Sequence, residues 1–336
     1  MTNIHLRRWT NPQPDDIAET VFQFLSQLGG PSLIELSGKD PSRCRVITTL
    51  LHGNEPSGLY ALHRLLKEAF IPQTTTVFIV ASVVAASTEP TFSHRMLEGQ
   101  KDLNRCFGIS DVGAEHTHLQ HALAQAITRS ISSLQAEAII DIHNTSGSGP
   151  AFAVATNKSD ANLALASHFT HRMIYTDIRL GAIMEQDFAC PIITIEAGGA
   201  QDDEANTTAY NGLRSFLSAD DAFEKRQSIE EFEQPQRLEL CKNAEICYQS
   251  ANNPKVDVTM RADIERLNFG KTEAGQHLGW ARSLSNLCLD NTNNHVGEYF
   301  YTEQGLLKTK VALTLFMVTT RADIASSDCL FYFVPA

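Results

Sequence analysis

Val46-Ile47-Thr48-Thr49-Leu50-Leu51-His52-Gly53-Asn54-Glu55-Pro56-Ser57-Gly58 is the stretch from which the rest of the chain can be read. A β-branched, apolar run stops at a histidine, and a glutamate follows three residues later. A Gly/Asn/Pro/Ser turn then gives way to helical spacing at Leu59, Leu62, Leu65 and Leu66. A His-x-x-Glu pair therefore sits where a strand ends and a helix begins, the place where open α/β sheets put their sites. Histidine and glutamate are both zinc ligands, and catalytic zinc takes three protein ligands with one position left open. The pair alone is a common chance match, so a third ligand has to come from elsewhere in the chain.

Upstream of this stretch, residues 14–28 have helical spacing (Ile17, Val21, Phe24, Leu25, Leu28) stopped by Gly29-Gly30, and residues 33–36 suit a short strand. Downstream, residues 75–84 form a near-continuous apolar run, the mark of a strand buried on both faces. Residues 85–108 have no clear period and read as a long functional loop. A helix is expected over 115–134, a buried strand over 138–142 stopping at His143, and a strand over 151–155. A helix over 161–169 and a short strand over 173–175 follow, then a strand over 191–195 that ends at Glu196-Ala197-Gly198-Gly199, and a helix over 203–217. Such alternation implies a largely parallel sheet covered on both faces.

The character changes near residue 218. Residues 220–236 are rich in charge and Gln and suit a linker helix; short β-type runs then fall at 241–248, 256–260, 277–280, 298–301, 308–318 and 329–334. The fold class is α/β: a mostly parallel or mixed sheet flanked by helices over residues 1–220, with a smaller β-rich domain over 230–336.

Composition narrows the function classes. Of 336 residues, 43% are hydrophobic and 20% charged, ordinary for a soluble globular protein. A formal net charge of −12 argues against nucleic acid as the main partner, because phosphate binding needs a basic surface. It leaves open a small anionic substrate, which responds to local charge. No apolar run approaches the ~18 residues of a membrane span. The 7 cysteines are scattered with no Cys-x-x-Cys pair, which reads as reduced thiols and a cytoplasmic location.

Three expected strand ends carry polar residues of one chemical kind: His52 and Glu55 after the first, His143 after the second, Glu196 after the third. In a parallel sheet such ends share one edge. Two imidazoles and a carboxylate would leave a metal position for water, and a further glutamate could take the water's proton, which is a metal-hydrolase arrangement.

With these residues in place, the chain resembles the succinylglutamate desuccinylase/aspartoacylase family, relatives of the zinc carboxypeptidases. The matching pieces are His52-Gly53-Asn54-Glu55, Asp102-Leu103-Asn104-Arg105-Cys106-Phe107, Asp141-Ile142-His143-Asn144 and Thr194-Ile195-Glu196-Ala197-Gly198-Gly199, spanning roughly residues 44–200. The resemblance implies a zinc-carboxypeptidase-like fold and one Zn2+ per chain, held by His52, Glu55 and His143. It implies Glu196 as the general base that later protonates the leaving amine, and Arg95 as the group polarising the scissile carbonyl. Asn104 and Arg105 correspond to the pair gripping the substrate carboxylate, a task suited to arginine's planar fork. Asp102 corresponds to the carboxylate orienting His52. Arg179 and Tyr301 fall where the family places further substrate contacts.

Other features have plainer readings. Asp141 shares a strand face with His143 and serves either to orient it or to cap a backbone amide in the core. His116, His118 and His121 read as a solvated helix face, His168 and His171 as structural, and Cys106 as a packed thiol. The function expected is zinc-dependent hydrolysis of an amide bond in a small, carboxylate-bearing N-acyl amino acid. The alternatives are a zinc carboxypeptidase acting on peptides and a non-catalytic binding protein that keeps the fold. Nucleic acid and membrane are not expected as partners, and the oligomeric state stays open, a homo-oligomer included.

Overall fold

Successive side chains of a strand point to opposite faces, and in the middle strands of this chain both sets are apolar. Ile34, Ile47, Phe78, Ile140 and Ile193 enter one core; their neighbours Leu33, Val46, Val77, Ile139 and Ile192 enter another. A sheet of such strands has to be covered by helices on both sides. The structure, a computed structural model, describes residues 4–108, 119–289 and 295–336. The chain divides into two compact units: Met1–Asn144 with Ala151–Glu231, and Thr145–Pro150 with Phe232–Ala336.

The first unit runs β1 (Arg7–Thr10), α1 (Val21–Leu28), β2 (Ser32–Leu36), β3 (Asp40–Thr49), α2 (Ser57–Lys67), β4 (Thr74–Val80), α3 (Val83–Ser87) and α4 (Leu119–Ser132). It continues with β5 (Ala138–Thr145), β6 (Phe152–Ala155), α5 (Asp160–Ser167), β7 (Arg172–Tyr175), β8 (Ile192–Gly199), α6 (Asp203–Ser218) and β9 (Glu230–Glu233). The sheet order is β1-β2-β4-β3-β5-β8-β6-β7-β9. It is mixed: β3 lies parallel to β4 and β5, whereas β2–β4 and β6–β8 are antiparallel. Residues of α1, α2, α5 and α6 fill one core, and α4 packs into the other with Leu123, Ile127 and Ile131. Among the described residues no helix is long and apolar enough to cross a membrane.

Several boundaries differ from expectation for local reasons. Residues 14–28 do not form one helix: a 3-10 turn at Pro14–Asp16 ends, and Thr20 starts α1 afresh by accepting the Gln23 N–H. No helix forms over 220–236, because Arg226 N–H and Gln227 Nε2 donate to Ser167 instead of to a helical turn of their own. Strand β1, too short and polar to show a period, pairs parallel with β2 at the sheet edge. The start of the helix expected from residue 115, with His116 and His118, lies outside the described residues.

The second unit holds β10 (Gln236–Leu240), β11 (Ile246–Gln249), β12 (Val258–Arg261), β13 (Lys271–Thr272), β14 (His277–Ala281) and β15 (Leu287–Leu289). It ends with α7 (Val296–Tyr299), β16 (Phe300–Glu303), β17 (Leu306–Thr309), β18 (Leu313–Phe316), α8 (Ala322–Ser327) and β19 (Phe331–Pro335). Two five-stranded sheets, β13-β18-β19-β10-β15 and β11-β12-β14-β17-β16, share a core that includes Leu238, Met260, Leu278, Phe300, Leu315 and Phe331. The expectation of uniformly reduced cysteines is corrected here: Cys241 and Cys288 form a disulfide. Antiparallel pairing of β10 with β15 brings together two residues 47 apart in sequence, which spacing could not reveal. Cys44, Cys190, Cys247 and Cys329 are free thiols.

Candidate metal centre

Strands β3, β5 and β8 are consecutive at the middle of the sheet, and they carry three of the four polar motifs. Strand β3 stops at Thr49, and Leu50 turns into the left-handed region at φ +57°, a conformation uncommon for a bulky residue and characteristic of strained functional turns. Ser82 holds the turn, its N–H donating to Leu50 O (2.7 Å) and its hydroxyl to Leu51 O (2.7 Å). His52 and Glu55 emerge buried from this turn. Two of its glycines are required by close approach. A Cβ on Gly53 would lie 2.6 Å from His94 O, and one on Gly58 would lie 2.0 Å from Thr49 Oγ1. The turn is thus pressed against the segment carrying Arg95, whose carbonyl accepts the Gly53 N–H at 2.9 Å.

His143 lies within β5, which continues to Thr145, and Glu196 lies within β8, which continues to Gly199. Neither stands at a strand terminus as expected. Strand β5 runs on past His143 because the polar side chains of His143 and Asn144 find partners inside the structure. Glu55 bridges the two imidazoles, with Oε1 2.8 Å from His52 Nδ1 and Oε2 2.6 Å from His143 Nδ1. The far nitrogen of each ring meets an aspartate: His52 Nε2 lies 2.8 Å from Asp102 Oδ1, and His143 Nε2 lies 2.7 Å from Asp141 Oδ2. Thr48 donates to Asp141 Oδ1 at 2.6 Å. Of the two readings of Asp141, the hydrogen bond to His143 is the one formed. A carboxylate behind an imidazole fixes its tautomer and ring orientation and raises its basicity.

The charges are coherent. Burial pushes the Glu55 carboxyl up, but the two imidazoles outweigh it and hold Glu55 well below the usual carboxylate range. Burial likewise opposes ionisation of Asp102, and His52, Arg95 and Arg105 hold it far down. Burial lowers His143, but Asp141 and Glu55 raise it well above the ordinary value. Glu196 behaves differently: burial raises its pKa to about 7, with the pull of His143 only partly offsetting it. Its Oε2 is closed off from solvent and has no hydrogen-bond partner among the described residues.

His52, Glu55 and His143 form a buried group whose ligand atoms all lie within 4.8 Å of one another, so they can hold a metal ion. The donor set fits: two nitrogens and a carboxylate oxygen converge, each ring is backed by an aspartate, and Glu196 brings an unpaired carboxylate oxygen into the electrostatic reach of all three.

Arg95 forks onto Asp102 Oδ2 (3.0 and 2.8 Å) and reaches Glu55 Oε1 at 3.3 Å. Asn104 and Arg105 lie on a 3-10 turn, Leu103–Arg105, anchored by the buried side chains of Leu103, Cys106 and Phe107. Asn104 is buried, and its Oδ1 accepts the Ile183 N–H at 2.9 Å. Arg105 donates to Asn104 O and forms no ion pair among the described residues. Arg179 is exposed between β7 and the 3-10 turn Ile183–Glu185, and Tyr301 is half-buried on β16 of the second unit. His121 is buried on α4, and His168 is held by Ser215 Oγ and Ala222 O, so neither joins the centre. Thr48, Thr194 and Asn144 were assigned no role in the sequence; only Asn144's and Thr194's places inside the motifs drew notice.

A mixed α/β sheet that delivers two imidazoles and two carboxylates to one buried point is the construction of a hydrolase. Residues 44–217, just over half of the chain, match the family model of the succinylglutamate desuccinylase/aspartoacylase catalytic domain, and the chain belongs to that family of deacylases. Among solved structures, a succinylglutamate desuccinylase from Silicibacter sp. TM1040 superposes with a TM-score of 0.58 at 16% identity, covering 91% of this chain and 88% of that one. A succinylglutamate desuccinylase from Vibrio parahaemolyticus gives 0.55 at 13% identity, covering 95% and 99%. The product-bound ectoine utilization protein EutE (DoeB) from Ruegeria pomeroyi gives 0.52 at 15% identity, covering 91% and 85%. At these identities the likeness is one of fold. A comparison with curated protein sequences finds no match.

Proposed function

We propose that this chain is a zinc-dependent amidohydrolase that removes the acyl group from a small, carboxylate-bearing N-acyl amino acid. The observation that carries the reading is the pairing of a buried donor set with one buried carboxylate oxygen, on Glu196, that has no hydrogen-bond partner among the described residues. A structural glutamate in such a place would be hydrogen-bonded, since an orphaned buried polar atom is costly. An acid–base group must keep its lone pair for the reactant.

In this reading one Zn2+ per chain is held by His52, Glu55 and His143, and when bound it acidifies water and polarises a carbonyl. Glu196 takes the proton of the attacking water and returns it to the departing nitrogen; burial, which disfavours its ionised form, helps it hold that proton between the two steps. Arg95 lies against Glu55 and Asp102 and is assigned to the scissile carbonyl, which it would polarise. Asn104 spends its oxygen on Ile183 N–H, which orients its amide N–H donors, and Arg105, whose charge also holds Asp102 down, adds a cation. Together they hold the substrate carboxylate. Arg179 and Tyr301 are assigned to further substrate contacts, with catalysis in residues 1–220 and the β-rich part over 230–336. The free thiols of Cys44, Cys190, Cys247 and Cys329 support a cytoplasmic setting, and the Cys241–Cys288 bond weighs against it.

The test is metal analysis followed by a substrate screen. Purified protein should hold about one zinc, and His143→Ala should lose it. Zinc-loaded protein should hydrolyse one or a few N-acyl amino acids within a panel of acetyl, succinyl and longer acyl derivatives. Hydrolysis of peptides in place of these would make it a carboxypeptidase, and turnover of neither would leave the binding-protein reading.

A further inference from the structure

Asn144 follows His143 directly on β5 and is buried. Its backbone N–H donates to Glu55 Oε2 at 3.3 Å. Its side-chain oxygen accepts the Ser57 N–H at 3.1 Å, and its Nδ2 donates to Ser57 Oγ at 2.8 Å and to Gly198 O at 3.0 Å. A primary amide offers two N–H donors and one acceptor oxygen, so every part of this side chain is spent. The partners are not scattered. Ser57 lies two residues past Glu55, and Gly198 lies two residues past Glu196 on β8. Gly198 sits at φ +123°, a backbone conformation open to glycine. Ser57 Oγ in turn donates to Asn206 Oδ1 on α6 at 2.8 Å.

We propose that Asn144 is a positioning residue: its amide clasps the Glu55–Ser57 turn and the Glu196–Gly198 strand to β5, and so fixes Glu196 against His52, Glu55 and His143. The inference rests on the metal-hydrolase reading and goes beyond it, because it names what sets the geometry between donor set and base. Of the Asn144 side-chain bonds, the one to Gly198 O reaches the Glu196 strand; its backbone bond to Glu55 survives any substitution of the side chain. Aspartate is no substitute, since it would face the Gly198 carbonyl with an oxygen and add a third carboxylate beside Glu55 and Glu196.

The experiment uses the full chain, stripped and reloaded with Zn2+ or Co2+. Competition with a chelator measures zinc affinity, the visible spectrum of the Co2+ form reports ligand geometry, and thermal unfolding is followed with and without metal. Asn144→Ala should bind zinc about 10- to 100-fold more weakly, the usual cost of losing a group that orients ligands. Its Co2+ spectrum should change, and its metal-induced rise in Tm should shrink. Ser57→Ala removes one arm and should show the same changes in smaller measure, and it carries the test if Asn144→Ala does not fold. Asn206→Ala touches only Ser57 and should change least. If the unaltered protein binds neither ion, the metal reading falls and the clasp falls with it. If the unaltered protein binds but Asn144→Ala and Ser57→Ala match its affinity and Co2+ spectrum, the clasp alone is overturned. An equal drop in Tm with and without metal, at unchanged affinity, marks Asn144 as merely structural and overturns it too.

Discussion

Glu196 is held where its ionised form is disfavoured, and this gives the metal-free protein a particular pH dependence. Folding raises its pKa from 4.5 to about 7, so between these values the folded chain keeps a proton that the unfolded chain has lost. The contribution is fully present below about pH 4.5 and disappears as pH climbs to about 7, a loss on the order of 3 kcal/mol. Glu196→Gln cannot ionise. Urea unfolding of chelator-treated protein should therefore show the wild type losing stability relative to the variant across this window. A difference that stays flat with pH would show that Glu196 is not shielded as described. With zinc restored, the same variant should retain its metal while kcat falls about 10²–10⁴-fold, the scale of a positioned acid–base group; loss of zinc would make Glu196 a ligand. Arg105→Lys keeps the charge but not the planar fork. It should lower kcat/KM for the true substrate with zinc content unchanged, and an unaltered kcat/KM would move the carboxylate site elsewhere.

The turn from β3 into α2 is built tightly enough for a single methyl to be felt at the centre. Gly58 opens α2 where an added Cβ would sit 2.0 Å from Thr49 Oγ1 and 3.1 Å from Ile142 Cβ, so the helix start is wedged between β3 and β5. Gly58→Ala has to push α2 away, an overpacking cost of about 1–3 kcal/mol. Because Glu55 lies three residues before Gly58, the displacement should also weaken zinc binding. Thr49→Ala in the same chain removes the nearest atom and should restore part of both losses. Calorimetry and zinc titration of the single and double variants check this, and a Gly58→Ala protein with wild-type Tm and affinity would refute it. The same turn explains which boundaries could be read in advance. Apolar runs and the Gly/Pro/Ser turn placed β3 and α2 within a few residues. Strands β5 and β8 run past the expected ends, because polar His143, Asn144 and Glu196 look like terminators in the sequence, whereas the fold buries Glu196 and gives His143 and Asn144 partners in Glu55, Asp141, Ser57 and Gly198.

The two compact units should respond to different chemical challenges. On the proposed reading zinc is held by His52, Glu55 and His143, all in the first, so free ion at about 100 times its dissociation constant should add about 2.7 kcal/mol to that unit's stability. The disulfide Cys241–Cys288 closes a 47-residue separation within the second, for which loop entropy allows up to about 4 kcal/mol. Hydrogen exchange should show chelator loosening β3, β5 and β8 first, and reductant loosening β10 and β15 first. Uniform loosening by either agent would mean that the units unfold as one.

From its sequence the chain can be assigned an α/β sheet, a β-rich second part and the residues His52, Glu55, His143 and Glu196, since hydrophobic period and motif order are local properties of a chain. The adjacency of β3, β5 and β8, the unsatisfied Glu196 oxygen and the Cys241–Cys288 pairing were not legible there. Each depends on contacts between segments tens of residues apart, and such contacts are set by how strands order themselves in a sheet, which no local pattern encodes.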